Sequence, residues 1–346
     1  MFQQLHIKNL AIFEEFTWPE LGSINVVIGE NDTGKSHLLK LLYSVARSLQ
    51  EKKRKTESAA GSWGDELARK LRWTFQPPDL ELGRLVKKGT SKLRVNTRLC
   101  NENFYFAFGS STTKQIRDTN RVPDGLDELR ALFFPPKEVL TSLDAIAATR
   151  ETLEITGFGD HYFDLIKALR LPTTRGNIQS NLKQVLEELE ALFAGEVRKE
   201  GDEFVFKRGN EKYRMSQTAE GIKKIGILTQ LIRNRTINTG SILFFDEPEA
   251  NLHPQAIVAL ADMLVELSRA DIQIFLATHD YFILKALELK ARQYESSIPI
   301  CSLTKSVDGV EATLDDLQEG MPKNPILDVS SKLLNDDMNL SLATGE

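Results

Sequence analysis

The sequence predicts an α/β protein with a mostly parallel sheet, an antiparallel β lobe and a helical insert. Three observations carry that prediction. Apolar runs that read as buried strands alternate with amphipathic stretches of helical period, the pattern of strand–helix–strand crossovers. Residues 24–36, INVVIGENDTGKS, join one such run through a glycine-rich loop to a helix. Residues 242–254, ILFFDEPEANLHP, end another run in two adjacent carboxylates.

In chain order, residues 2–10 alternate roughly and are expected as an edge strand. Residues 13–18, closed by Pro19, form a second strand that feeds through Gly22 into the run at 24–28. The helix after Ser36 is expected to reach about Gln50. Residues 51–55 and the Ser/Ala/Gly stretch 58–64 read as a polar junction. A helix at 65–75 stops at Pro77 and Pro78, because a residue before proline is pushed out of the α region. Residues 93–99 and 104–108 alternate and pair as a hairpin, and 112–124 is loop. The apolar run 129–134 ends at Pro135 and Pro136. Helical patterns follow at 137–148, 162–171 and 178–194, the last with Leu182, Leu186, Leu189 and Leu192 on one face. Strands are expected at 196–197, 204–206 and around Tyr213, then a strong amphipathic helix at 218–234. Strand 241–245, helix 254–269, strand 272–277 and helix 281–294 complete the crossovers. Strands 298–304 and 310–313 and a helix at 326–334 close the pattern.

A chain of 346 residues with 41% hydrophobic and 27% charged residues has the composition of an ordinary globular protein. Its net charge of −5 argues against a generally basic, DNA-coating surface. Only Cys100 and Cys301 are present, so neither a disulfide framework nor a zinc site is indicated. No apolar run approaches the roughly 20 residues that span a bilayer. The first ten residues lack the layout of a signal peptide, and cytoplasmic residence is expected. Charge is uneven, however. Residues 47–98 hold 14 Lys/Arg against 6 Asp/Glu, and residues 311–346 hold 8 Asp/Glu against 2 Lys/Arg.

The sharpest signal is Gly29-Glu30-Asn31-Asp32-Thr33-Gly34-Lys35-Ser36, with His37 opening the helix behind it. Strand, loop and helix in that order are the context a phosphate-binding P-loop requires. The glycines let successive N–H groups turn toward phosphate oxygens, and the helix N-terminus adds its partial positive charge. Lys35 is placed to reach the β- and γ-phosphates of ATP, and Ser36 to give its hydroxyl to Mg²⁺. Asp246 and Glu247 stand at the C-terminal end of a buried strand, where ligands bind in open α/β sheets. Asp246 is expected to hold Mg²⁺, directly or through water, and Glu247 to polarise the attacking water. Acidic pairs also cap helices; behind a P-loop the catalytic reading takes precedence. A third buried strand, within IQIFLATHD at 272–280, carries His279 at its tip, 32 residues after Glu247. An imidazole there can hydrogen-bond a γ-phosphate and register its presence.

These three motifs, in this order, resemble those of ABC-type ATPase heads. The resemblance is closest to the stand-alone bacterial members grouped with the RecF, SMC and OLD ATPases. It covers nearly the whole chain. It implies Glu247 as catalytic base, Asn251–His253 as the D-loop and His279 as the switch histidine. It further implies that two heads sandwich two ATP molecules, each site being completed by the other subunit's signature loop. That loop falls at residues 214–228, RMSQTAEGIKKIGIL. The usual serine before glycine is replaced by Glu220 before Gly221. Either Ser216 or Thr218 serves instead, or the transposed site is weakened; Gly221 and Ser216 are the candidate ligands. Residues 133–140 occupy the Q-loop slot, with Lys137 and Glu138 where the family has glutamine. There Lys137 either contacts the γ-phosphate or Mg²⁺-bound water, or belongs to a surface turn. No heptad run is present, which excludes long coiled-coil arms. A single head over 1–346 is expected. It has a basic first-lobe extension at 51–128 and a helical and hairpin subdomain at 138–215. Residues 240–346 then carry the Asp246–Glu247 strand, the His279 loop and the C-terminal elements.

ATP-driven assembly must act on something. In the basic stretch Arg69, Lys70, Arg72, Arg84, Lys87, Lys88, Lys92, Arg94 and Arg98 interleave with Trp63, Trp73 and Phe75. That surface suits a DNA backbone with aromatics for stacking, or is a solvated face balancing acidic neighbours. The second candidate is a separate effector protein. Stand-alone heads of this kind resemble the ATPase subunits of two-component anti-phage systems, in which the head controls a nuclease or toxin. OLD-type relatives carry their nuclease as a C-terminal domain, whereas here the chain ends soon after the head. Residues 315–337, with Ile326, Leu327, Leu333 and Leu334 as an apolar seam, either dock such a partner or close the head's own sheet. The resulting expectation is an oligomeric ATPase that regulates an effector. The alternatives are a RecF-like DNA-binding head and a slow, nucleotide-gated scaffold.

Overall fold

A computed structural model describes residues 1–54, 62–122, 129–153, 155–173, 178–192, 194–201, 203–306 and 309–322, with isolated positions beyond. Rough alternation opens the chain: β1 (Phe2–Leu10) and β2 (Phe13–Trp18) bury every second or third side chain and pair antiparallel. Next come β3 (Ile24–Gly29), α1 (Lys35–Arg54) and α2 (Trp63–Phe75). A reciprocal box between Ser62 and Asp65 caps α2, which stops just before Pro77. The hairpin β4 (Lys92–Leu99) and β5 (Glu102–Gly109) carries the short strand β6 (Asp118–Thr119) at its edge. These strands form an antiparallel sheet in the order β2-β1-β4-β5-β6. The expected edge strand β1 is therefore interior. Its own alternation does not reveal that β4 joins it on the far side, from about 90 residues on.

The second half begins with β7 (Arg130–Phe134), α3 (Leu143–Glu151), α4 (Asp160–Arg170) and α5 (Ser180–Leu192). The helix expected from residue 137 starts six residues later, because Pro135 and Pro136 hold the chain extended and Glu138 ties Thr141 into a turn. A small antiparallel sheet follows, β8 (Glu196–Glu200), β9 (Glu203–Arg208) and β10 (Glu211–Arg214). Then come α6 (Glu220–Arg233), β11 (Ser241–Asp246), α7 (Pro254–Arg269), β12 (Gln273–Ala277), α8 (Tyr281–Gln293), β13 (Pro299–Ser306) and β14 (Gly309–Asp316). The helix expected at 326–334 and the seam at Ile326, Leu327, Leu333 and Leu334 lie outside the described residues.

The main sheet has the order β14-β13-β3-β12-β11-β7. All neighbours in it are parallel except the edge strand β14. Both faces are covered, which is why its strands read as continuous apolar runs rather than alternating ones. Successive residues still divide between two cores. Val26, Leu243 and Leu276 face α6, α7 and α8; Val27, Phe244 and Phe275 face α1 and the antiparallel sheet. On the α1 side Phe133, Phe244 and Phe275 stack from strand to strand, with Tyr43 edge-on to the first two. Because β3, β11 and β12 run parallel, their C-terminal ends emerge along one edge of the sheet. No described helix is long and apolar enough to cross a membrane.

Candidate functional site

At the end of β3 the chain leaves extended geometry. Gly29, Asp32 and Gly34 have φ of 151°, 65° and 89°. A Cβ at Gly29 would lie 2.5 Å from the Leu303 carbonyl oxygen, and one at Gly34 would lie 2.7 Å from the Phe13 ring. Only glycine fits either place. Glu30, Asn31 and Asp32 are exposed at the loop tip, whereas Thr33 is buried and donates to the Glu30 carbonyl at 2.8 Å. Lys35 folds its ammonium back over the loop, donating to the carbonyls of Gly29 (2.8 Å) and Glu30 (2.9 Å). Burial pushes its pKa down, against the pull of Glu247, Asp246 and Glu249. His37, on the first turn of α1, sets its ring 5.6 Å from that of Phe75.

Ser36 Oγ donates to Asp246 Oδ1 at 2.9 Å, so the start of α1 meets the end of β11. Burial raises the Asp246 carboxyl, against the Ser36 hydroxyl and the charge of Lys40. Lys40, one turn beyond Ser36, is itself pushed down by burial and supported by Asp246. Tyr162 of α4 is pushed up to about 12 by burial and then by the Asp246 charge. Sequence reasoning missed both neighbours. The i, i+4 spacing of Ser36 and Lys40 was available as a signal; nothing in the sequence links Tyr162 to Asp246.

Glu247 follows with φ of 49°, its carboxylate 29% exposed and one oxygen 3.4 Å from His279 Nδ1. Its N–H donates to the Ala277 carbonyl at 2.9 Å, and the Thr278 N–H to the Val27 carbonyl at 3.1 Å, which ties the ends of the three strands together. Behind them Glu249 is buried. Its Oε1 accepts the Thr278 hydroxyl at 2.6 Å and the His279 N–H at 3.3 Å, while its Oε2 has no hydrogen-bond partner. His253 caps α7 by accepting the Gln255 N–H, and Asp280 caps α8 by accepting that of Ile283. Lys35, Ser36, Asp246, Glu247 and His279 thus converge on one edge of the parallel sheet.

The other expected ligands lie apart from that group. Ser216 sits in a single exposed turn (Met215–Gln217), and Gly221 is buried in the first turn of α6. Among the described residues neither shares a hydrogen bond or ion pair with the loop 29–36. Ser216 instead lines a cleft of about 740 Å³ with Thr141, Arg170 and Arg214. Glu220 is paired with Lys223 at 2.6 Å, which neutralises the carboxylate next to Gly221. Lys223 also stands 3.6 Å from Glu138, while Lys137 is exposed.

The basic stretch looks different in three dimensions. Lys70 is 1% exposed and bonds Asp164 (2.7 Å), Glu51 (2.9 Å) and Asp160 (3.1 Å). Arg69 pairs with Glu51, and Arg84, Lys87 and Lys92 pair with Glu81, Glu14 and Asp118. Trp63 is buried, and Trp73 is covered by the Arg150 guanidinium. The expected stacking surface is therefore absent among these aromatics, and β4 and β5 belong to the antiparallel sheet itself.

The residues present suit Mg²⁺ and a polyphosphate. A hydroxyl and a carboxylate stand side by side as hard oxygen donors. Three carboxylates near Lys35 suit a cation, and the loop leaves no room for a Cβ at Gly29 or Gly34. The fold is that of an ABC/SMC-like head, and the site is that of a P-loop nucleotide-binding domain. Residues 24–285 match the family described as "AAA domain, putative AbiEii toxin, Type IV TA system", and the chain belongs to that family. Among solved structures it is similar to an SmcHead bound to the C-winged helix domain of ScpA. Identity to it is 13% and the TM-score 0.55, over 92% of this chain and 99% of that one. It is also similar to an Smc head domain with an extended coiled coil bound to the C-terminal domain of ScpA, from Pyrococcus furiosus. There the identity is 11% and the TM-score 0.50, over 97% and 99% of the two chains. At these identities the likeness is one of fold. No curated protein matches the chain.

Proposed function

We propose that this chain binds Mg-ATP in the loop 29–36, hydrolyses it, and pairs with a second copy through the nucleotide to control a separate effector. The observation that supports this most is the convergence of Ser36 on Asp246 (2.9 Å) and of His279 on Glu247 (3.4 Å) beside Lys35. In this reading the phosphates rest on the loop N–H groups and the N-terminus of α1. Lys35 exchanges its two loop carbonyls for β- and γ-phosphate oxygens. Ser36 and Asp246 hold Mg²⁺, which when bound supplies positive charge to the phosphate oxygens as the γ-phosphoryl group leaves. Glu247 accepts a proton from the attacking water, and His279 hydrogen-bonds the γ-phosphate. Gly221 and Ser216 face the nucleotide of the partner copy.

The SMC heads solved with ScpA domains on them support control of a partner protein, and the family description supports a role in a toxin–antitoxin setting. A nuclease or toxin in anti-phage defence is the effector this reading names. A RecF-like, DNA-directed head is the weaker alternative, since the basic stretch spends much of its charge on internal pairs.

The test is the solution mass of Glu247→Gln with and without Mg-ATP. The substitution removes the base and leaves Ser36 and Asp246 intact, so turnover falls by roughly 10²–10⁴-fold and the ATP-bound form accumulates. A doubling of mass with Mg-ATP is expected. Hydrolysis at the parent rate would overturn the assignment of the base, and unchanged mass with ATP bound would overturn nucleotide-driven pairing.

A further inference from the structure

Lys224 lies on α6, one turn after Gly221, and its ammonium points at the turn that carries Glu247. Its Nζ donates to the carbonyls of Ala250 (2.8 Å), Pro248 (3.3 Å) and Glu247 (3.5 Å). An ammonium has three N–H donors and no acceptor, so three carbonyls are the number it can serve. The turn it holds is a costly one. Glu247 and Asn251 both have left-handed backbones, with φ of 49° and 65°. Such a backbone is strained for glutamate and persists only where its surroundings impose it, whereas asparagine adopts it readily. Beyond the turn, Glu249 binds the Thr278 hydroxyl and the His279 N–H. A continuous chain of polar contacts therefore runs from the first turns of α6, through the turn 247–251, to the loop that presents His279.

We infer that Lys224 is a positioning residue that holds the Glu247 turn in register with α6. The inference rests on Glu247 being the base. It assigns a purpose to a lysine inside a helix that otherwise packs through Ile225, Leu228 and Leu231.

The experiment compares Lys224→Met, Lys224→Gln and Lys224→Arg with the parent and with Glu247→Gln, reading kcat at saturating Mg-ATP beside the equilibrium affinity for ATP. Removing the ammonium is expected to lower kcat by about 10- to 100-fold, the scale of a misplaced reacting group, and to leave ATP affinity unchanged. Arginine, which keeps the charge but not the compact three-donor head, restores part of the rate. Lys224→Gln serves should the methionine prevent folding. Parent kcat in the folded variants, alongside an inactive Glu247→Gln, overturns the inference alone. A loss of kcat and ATP affinity in equal measure also overturns it, since that is general destabilisation. Parent activity in Glu247→Gln overturns the underlying assignment of the base instead.

Discussion

Lys35, the residue expected to reach the β- and γ-phosphates, spends its charge on two carbonyls of its own loop. Replacing it with alanine removes a charge-assisted donor from the phosphates. Lys35→Ala is expected to weaken ATP binding by about 10- to 100-fold or more. Titration with a fluorescent ATP analogue measures this, and parent affinity in the variant would refute the loop as the nucleotide site. Lys35, Ser36, Asp246, Glu247 and His279 were legible in the sequence because each lies in a short contiguous motif whose flanks name a strand end. Tyr162 and Lys224 were not, because they reach the site by tertiary packing from helix positions that look like any other, and Lys40 had only its i, i+4 spacing from Ser36 to mark it. Glu249 lay in plain view in the motif, but only its burial and its bonds to Thr278 and His279 distinguish it from a helix cap.

Among the elements, α1, α2 and α4 are joined by a buried charge network rather than by apolar contact alone. Asp164 of α4 meets Lys70 of α2, Arg47 of α1 and the Tyr43 hydroxyl. Burial would raise its carboxyl, but Lys70 and Arg47 outweigh that and hold it well below the usual carboxylate range. A depressed carboxylate contributes stability that is fully present above its unfolded value of about 4 and is lost as pH falls toward the folded one. Asp164→Asn leaves Lys70 with Asp160 and Glu51 only, and is expected to cost about 3 kcal/mol near neutral pH. Below about pH 4 the gap between variant and parent narrows, because the unfolded parent takes up a proton there while the folded carboxylate keeps its charge, and it closes only as pH falls to the depressed folded value. Thermal melts of both proteins across that range measure the difference; parallel curves would refute the role of Asp164. Periodicity could not show this network, since its basic half reads as a solvated strip and its acidic half lies about 90 residues away. Helix α7 was legible to the residue, because a histidine cap and Pro254 start it and a regular apolar face runs through it. The helix expected at 137–148 was not, because its first residues are consumed by a double proline and a Glu138–Thr141 turn.

In the whole molecule, the order of three motifs along the chain was enough to specify the class. A parallel sheet must bring the ends of β3, β11 and β12 to one edge, which is where open α/β sheets bind ligands. The partner is a different matter, because it depends on what the surface leaves unspent. The sequence shows an excess of lysine and arginine over 47–98, yet Lys70, Arg69, Arg84, Lys87 and Lys92 are paired within the fold, and the net charge of the chain is −5. Arg94 and Arg98 do project from the open face of β4. Lys88 is exposed as well, and so few cations release few counterions, so DNA contact through them is weak and fades as salt rises. Double-stranded DNA is therefore expected to leave ATP turnover unchanged at near-physiological salt, and Arg94→Gln with Arg98→Gln to change nothing further. Steady-state hydrolysis with and without duplex, across a salt series, measures this. Stimulation by DNA that declines steeply with salt and disappears in the double variant would move the assignment from effector control to direct action on DNA.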